Sequence, residues 1–295
     1  AKAAQEAAAV GLACHPRGDR PTFGYGTAGF RAAADGLEHV LYRMGILAAL
    51  RSKTLGGRAV GVMVTASHNP ECDNGVKLVE PMGEMLAMEW EAHATKLANV
   101  PDEGLAACIE SLAEAVGADM SERANVIVGR DTRPSSVPLV MAVCDGAGAM
   151  RPAGVRSLGL ASTPQLHYVV RCENTAAAYG IPSLVGYDDK LVAAYRGLVA
   201  FARTSDQGKY EGRIVLDCAN GVGAVAMRGM LPRLKEGGLD VQLCNVGDGP
   251  LNEGCGADFV KIKQGAPSGV DLKPGMRYVS YDGDADRVVY FFADA

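Results

Sequence analysis

Short apolar runs alternate with polar, glycine-rich stops along the chain, and this rhythm predicts strands that feed loops and helices. Val60-Gly61-Val62-Met63-Val64 is the cleanest run. It leads into Thr65-Ala66-Ser67-His68-Asn69-Pro70 and a turn-rich stretch, Glu71-Cys72-Asp73-Asn74-Gly75-Val76, that ends in the cation Lys77. Asn125-Val126-Ile127-Val128-Gly129 feeds Arg130-Asp131-Thr132-Arg133-Pro134 in the same way. Further strands are predicted at Val155–Leu160, Arg213–Asp217, Val241–Asn245, Tyr278–Tyr281 and Val288–Phe292. Helical spacing covers about Lys2 to Leu12, Leu37 to Ser52, Trp90 to Leu97, Cys108 to Val116, Val137 to Gly148, Asp188 to Ala202 and Ala224 to Leu234, and another helix opens at Thr163-Pro164. Strands alternating with helices predict a layered α/β fold. The composition shifts after Tyr179-Gly180-Ile181-Pro182, so the expectation is two consecutive α/β units, residues 1–182 and 183–295, with a basic and polar stretch before Arg213.

Composition narrows the function. The 295 residues are 48% hydrophobic, enough for sizeable cores. A net charge of −5 argues against broad nucleic-acid or acidic-membrane binding, while leaving room for a local phosphate pocket. The eight cysteines form no Cys-x-x-Cys pair and read as reduced thiols of a cytoplasmic protein. No apolar run is long enough for a membrane span. The Ala-rich start reads as an amphipathic helix rather than a signal peptide, and with no initiator methionine the N-terminus is expected to be incomplete.

Three segments carry candidate chemistry. A serine delivered by a strand into a Gly/Asn/Pro loop, as Ser67 is, has a rigid base and an exposed hydroxyl. Lys77 on the same loop could stabilise phosphate charge or move a proton. The bland alternative is a solvated turn. In Asp282-Gly283-Asp284-Ala285-Asp286, three carboxylates repel unless a cation offsets them, and the small residues between let them converge. Hard oxygen ligands suit magnesium. A helix–loop–helix calcium hand does not fit, because the twelfth loop position is Ala293. An acidic surface turn is the alternative. Gly26-Thr27-Ala28-Gly29-Phe30-Arg31 could bring backbone amides and a guanidinium to an anion, or be a plain turn.

Taken together, Thr65 to Pro70, the downstream Asp-Asn-Gly-Val-Lys, the aspartate loop and the Thr-x-Gly-x-Arg segment resemble the α-D-phosphohexomutases. Leu251-Asn252-Glu253-Gly254-Cys255-Gly256-Ala257-Asp258 resembles the acetylglucosamine branch of that family. The resemblance implies two phosphohexomutase-type α/β domains with mixed sheets between helices: domain I with the phosphoserine loop and domain II with the metal loop. The family's third and fourth domains are expected to be absent, making the chain a fragment or half of a split enzyme. By resemblance, Ser67 carries a phosphoryl group, Lys77 lies near the reacting hydroxyl, and Arg31 sits beside the serine phosphate. His68 is expected among the catalytic residues, orienting the serine, shaping its loop or moving a proton. Thr27, Gly29 and Asn69 are the expected phosphate- and substrate-binding residues. One Mg²⁺ is expected on Asp282, Asp284, Asp286 and a Ser67 phosphate oxygen, with Arg287 organising the site. Arg130 and Arg133 are expected to be structural, as is the Asp217 turn. The implied activity is an isomerase of carbohydrate metabolism. It interconverts N-acetylglucosamine 6-phosphate and 1-phosphate through a sugar bisphosphate, on the way to UDP-N-acetylglucosamine. Alternatives are glucose or mannose phosphates as substrates, or a non-catalytic phosphosugar-binding module. The expected partner is a small hexosamine phosphate, and nothing in the sequence sets an oligomeric state.

Overall fold

A computed structural model describes residues 2–204 and 212–293. The polar stretch expected before Arg213 lies mostly outside the described residues. In chain order the elements are α1 (Lys2–Cys14), β1 (Phe30–Ala33), α2 (Glu38–Thr54), β2 (Ala59–Val64), β3 (Asp73–Val79), α3 (Met88–Asn99), α4 (Leu105–Ala115), β4 (Ala124–Arg130), α5 (Ser136–Ala149), β5 (Ala153–Leu160) and α6 (Thr163–Asn174). They continue with α7 (Leu184–Thr204), β6 (Arg213–Asp217), α8 (Val222–Glu236), β7 (Asp240–Cys244), α9 (Ala257–Lys263), β8 (Tyr278–Tyr281) and β9 (Val288–Phe291). No helix among the described residues is long and apolar enough to cross a membrane.

Two mixed sheets result, in strand orders β1-β3-β2-β4-β5 and β7-β6-β8-β9, and they fall on either side of residue 182. In the first, β2, β4 and β5 run parallel while β3 lies antiparallel to both β1 and β2. In the second, β6 is parallel to β7 and β8, and β9 turns back against β8. Helix α2 is apolar on nearly every side because it is sandwiched between the first sheet and helices α3 and α5. Its Arg43 is buried only because the carbonyls of Leu97, Ala98 and Val100 and the Asp102 carboxylate accept its hydrogens. A separate core joins α8 to β6 and β8 under the second sheet.

Two expectations change. The segment ending at Lys77 is a strand rather than a loop, and Arg31 also lies on a strand. Phe30 to Ala33 pairs with Asp73 to Val76, and Val76 to Val79 pairs with Val64 to Gly61. Partner strands on both sides override the turn preference of Asp-Asn-Gly. The consequence is functional: Arg31 and Lys77 project from a rigid sheet instead of a mobile loop.

Candidate active site

The loops that matter leave the C-terminal ends of parallel strands, where open α/β sheets place their ligand sites. The Ser67 loop follows β2 and the Asp131–Arg133 loop follows β4. In the second sheet the Asp217 turn follows β6 and the aspartate loop follows β8. The Ser67 and aspartate loops meet. Ser67 Oγ donates to Asp282 Oδ2 at 2.7 Å, and Arg287 Nη2 donates to Ser67 Oγ at 3.3 Å. Gly283 makes this approach possible, since a Cβ there would stand 2.6 Å from Ser67 O.

The serine is held in an unusual backbone. Its φ is +54°, a region that costs a residue with a Cβ and persists only when surroundings over-determine it. Here they do. Ser67 N–H donates to Thr65 Oγ1, which in turn donates to Asp131. Arg133, wholly buried, pairs with Asp131 and donates to the carbonyls of Ser67, Asn69, Asp73 and Pro70. Asn252, from the second half of the chain, donates to the carbonyls of Ser67 and Asn69 at 2.8 and 3.0 Å. The structural role expected for Arg133 is what the geometry shows. Asp217 likewise braces its own turn, accepting from Ala219 N, Asn245 Nδ2, Gly256 N and Ser280 Oγ.

Lys77 reaches from β3 to Asp284 Oδ2 at 2.9 Å and Asp286 Oδ2 at 2.8 Å. Burial alone would pull its pKa down. The two carboxylates outweigh that and raise it, so the amine is held as an ammonium. Asp284 shows the mirror image: burial pushes its pKa up, but Lys77 and the Thr163 hydroxyl bring it below the ordinary value. Asp282 is pushed up to about 6 by burial and by the neighbouring charges of Asp284 and Asp286, with Ser67 and Arg287 offsetting only part. Oxygens of Asp282, Asp284 and Asp286 all lie within 4.8 Å of one another, and Asp284 Oδ1 is buried with no hydrogen-bond partner among the described residues. A hard divalent cation fits this donor set, because carboxylate oxygens suit it and the orphaned oxygen lacks any other counterpart.

A cavity of about 850 Å³ opens over these groups and is lined by Thr27, Arg31, Ser67, His68, Lys77 and Arg287 among others. Arg31 donates to His68 Nδ1 at 3.4 Å, its Nε is buried without a partner, and among the described residues no carboxylate neutralises it. His68 Nε2 lies 3.5 Å from Asp258, and burial followed by the charge of Arg287 lowers the imidazole's pKa.

Two of the expected ligand-binding residues lie beside the cavity rather than on its lining. Gly29 is not part of the cavity lining. At φ +81° it lies against β3, where a Cβ would stand 2.1 Å from Val76 O. Asn69 also lies outside the lining, and its side chain donates to Asp73 Oδ2 at 2.9 Å. Both shape the loops that present Thr27 and Ser67. Three site residues escaped the sequence reading. Thr163 donates to Asp284 at 2.6 Å from the first turn of α6. Asp258 accepts from Arg287 at 2.7 Å, and Asn252 pins the serine loop. The last two sit in the segment read only as a mark of lineage, and nothing local signals their reach.

The family model for phosphoglucomutase/phosphomannomutase, alpha/beta/alpha domain I, matches residues 31–104 and 98–181. The chain is 48% identical over 283 residues to the phosphoacetylglucosamine mutase of Sus scrofa, covering 96% of this chain and 51% of that protein. Among solved structures, the Aspergillus fumigatus N-acetylphosphoglucosamine mutase in complex with GlcNAc-6P and magnesium superposes with a TM-score of 0.90 at 43% identity, covering 100% of this chain and 54% of that one. A variant of the Aspergillus fumigatus protein in complex with glucose 1,6-bisphosphate gives a TM-score of 0.92 at 43% identity, covering 99% and 54%. The chain spans about half the length of these relatives.

Proposed function

Because the chain belongs to the phosphoglucomutase/phosphomannomutase family, we propose that it carries the phosphoryl-donor loop and the metal loop of an isomerase acting on N-acetylglucosamine phosphates. These loops would sit on two consecutive domains, residues 1–182 and 183–295. The observation that carries this reading is the Ser67 hydroxyl held between Asp282 and Arg287, at the floor of a cavity it shares with Lys77 and Arg31. The choice of sugar rests on the likeness to phosphoacetylglucosamine mutases and on the GlcNAc-6P and magnesium bound by the Aspergillus fumigatus relative.

In this reading Ser67 begins phosphorylated. The free hydroxyl of the sugar phosphate attacks the phosphorus. The bond from phosphorus to Ser67 Oγ breaks as the bond to the sugar oxygen forms, giving a bisphosphorylated sugar. That sugar turns and returns its other phosphoryl group to Ser67, so the 6-phosphate and 1-phosphate interconvert. The proton lost by the sugar is balanced by the one Ser67 Oγ gains, and Lys77, an ammonium in the same cavity, relays it. Arg31, which has no carboxylate partner among the described residues, and Arg287 hold the phosphate oxygens by charge-assisted hydrogen bonds. Asp282, Asp284 and Asp286, with an oxygen of phosphorylated Ser67, would hold Mg²⁺, which when bound offsets negative charge on the transferring group. Cytoplasmic residence is part of the proposal, supported by eight cysteines that are all free thiols.

Phosphorus NMR tests this reading. The Ser67-phosphorylated chain mixed with N-acetylglucosamine 6-phosphate and Mg²⁺ is expected to yield the 1,6-bisphosphate, and the Ser67→Ala chain none. Equal yield from both chains would remove Ser67 from the reaction.

A further inference from the structure

Two carboxylates hold Arg287 at separate nitrogens. Its Nε donates to Asp282 Oδ2 at 2.9 Å and its Nη1 to Asp258 Oδ1 at 2.7 Å, which leaves Nη2 facing Ser67 Oγ at 3.3 Å. A planar fork bonded at two nitrogens has its plane fixed, so the direction of the third nitrogen is fixed with it. Asp282 belongs to the metal loop. Asp258 does not. It stands in the first turn of α9 and is not among the residues lining the cavity. Its other oxygen reaches toward the second cavity arginine through a histidine. His68 Nε2 lies 3.5 Å from Asp258 Oδ2, and Arg31 Nη1 donates to His68 Nδ1 at 3.4 Å. A guanidinium has only hydrogens to offer, so Nδ1 is the acceptor and the ring hydrogen sits on Nε2, toward Asp258.

The chain gives Asp258 a firm base. Helix α9 starts at Gly256, whose φ is +92° and where a Cβ would stand 3.0 Å from Ala219 Cβ. Gly256 N donates to Asp217 Oδ2 at 2.7 Å, and Asp217 also accepts from Ser280 Oγ and Asn245 Nδ2, so the start of α9 is tied to the ends of three strands. The side chains of Asp258 and Arg287 are 26% and 38% exposed, and an ion pair this open to water contributes little to stability. What the pair supplies is direction. Without Asp258, Arg287 is left to the metal loop alone. Asp286 Oδ1 already lies 3.9 Å from its Nε, and a guanidinium drawn that way turns Nη2 from Ser67.

We infer that Asp258 is a positioning residue for phosphoryl transfer at Ser67, aiming Arg287 directly, and Arg31 through His68, at the phosphoryl oxygens. The inference rests on the reading that Ser67 is a phosphoryl carrier, and it adds the residue that orients the two arginines serving it. It also gives the segment Leu251 to Asp258 work at both ends. Asn252 fixes the backbone of the serine loop, and Asp258 aims the cations over its hydroxyl.

The test is the rate at which glucose 1,6-bisphosphate and Mg²⁺ phosphorylate Ser67 in the full chain, followed by rapid quench and intact-mass spectrometry. The variants are Asp258→Ala, Asp258→Asn, Asp258→Glu, and Asp258→Ala combined with Arg287→Lys. Misplacing a group at the reacting centre by about 1 Å costs on the order of a hundredfold, so the saturated rate should fall by about ten- to a hundredfold in Asp258→Ala. Asp258→Asn keeps the shape without the charge and should lose less, and Asp258→Glu should recover part of the rate. The Mg²⁺ concentration giving half the maximal rate and the Tm should stay at their wild-type values. In the Arg287→Lys background, removing Asp258 should cost much less than in the wild-type chain, because it acts through that arginine. An unchanged saturated rate in Asp258→Ala overturns the inference. So does an equal loss in both backgrounds, or a loss that comes with a fallen Tm or a weakened Mg²⁺ dependence. Proton NMR of the Arg287 guanidinium, assigned by its loss in Arg287→Lys, separates the two readings. Pinned at two nitrogens the group rotates slowly and its Nη signals are resolved; in Asp258→Ala they should merge. If they merge while even the wild-type chain stays unphosphorylated, the positioning stands and the Ser67 chemistry fails. If they do not change while the wild-type chain is phosphorylated, the positioning fails and the chemistry stands.

Discussion

Arg133 donates to the carbonyls of Ser67, Asn69, Asp73 and Pro70 while pairing with Asp131, so one buried guanidinium holds the serine's left-handed backbone in place. Replacing it with methionine strands a buried carboxylate and several carbonyls. The expected loss is about 3–5 kcal/mol in urea unfolding. A loss below about 1 kcal/mol would show that water or neighbouring donors take over those groups. His39 makes a second prediction at this scale. It is buried, neither ring nitrogen has a partner among the described residues, and burial followed by the charge of Arg43 lowers its pKa to about 4. The unfolded chain, with its histidine near the ordinary value of 6.5, takes up the proton first as pH falls. Stability is therefore complete above pH 6.5 and declines toward pH 4, by about 3 kcal/mol from this one group. Unfolding measured at pH 7 and pH 4.5 should show a shallower decline in His39→Leu than in the wild-type chain. Identical declines would mean that His39 carries no such shift.

At the scale of elements, the strands read best from the sequence were the buried parallel ones, because β2 is an unbroken apolar run and β4 is built on Val126-Ile127-Val128, each with a polar stop behind it. The two that escaped, β1 and β3, carry Arg31 and Lys77. One is only four residues long and finds its partner far along the chain, and the other begins with Asp-Asn-Gly and is held as a strand by neighbours on both sides, β1 and β2. The same divide runs through the site. Ser67 and the three aspartates announce themselves by local composition, whereas Thr163, Asn252 and Asp258 act across loops and have no local signature. The contact between the Ser67 and aspartate loops turns on Gly283. Gly283→Ala places a methyl group 2.6 Å from Ser67 O and must push the loops apart. A displacement near 1 Å at a reacting group costs on the order of a hundredfold in rate. Phosphorylation of Ser67 by a sugar bisphosphate should slow by about that factor in this variant, as followed by intact-mass spectrometry. An unchanged rate would show that the two loops can separate without consequence.

For the whole molecule, the serine comes from the first sheet and most of the carboxylates from the second, so the site exists only where the two meet. Side-chain links cross that boundary at the serine loop and β3, among them Ser67 to Asp282, Arg287 to Ser67, Lys77 to Asp284 and Asp286, and Asn252 to the carbonyls of Ser67 and Asn69. We propose that this meeting point makes Ser67 a phosphoryl carrier. Phosphopeptide mapping after incubation with glucose 1,6-bisphosphate and Mg²⁺ addresses it most directly. One phosphate is expected, on Ser67, absent in Ser67→Ala and strongly reduced in Asp284→Asn. A wild-type chain that stays unphosphorylated, or carries its phosphate on another residue, would contradict it.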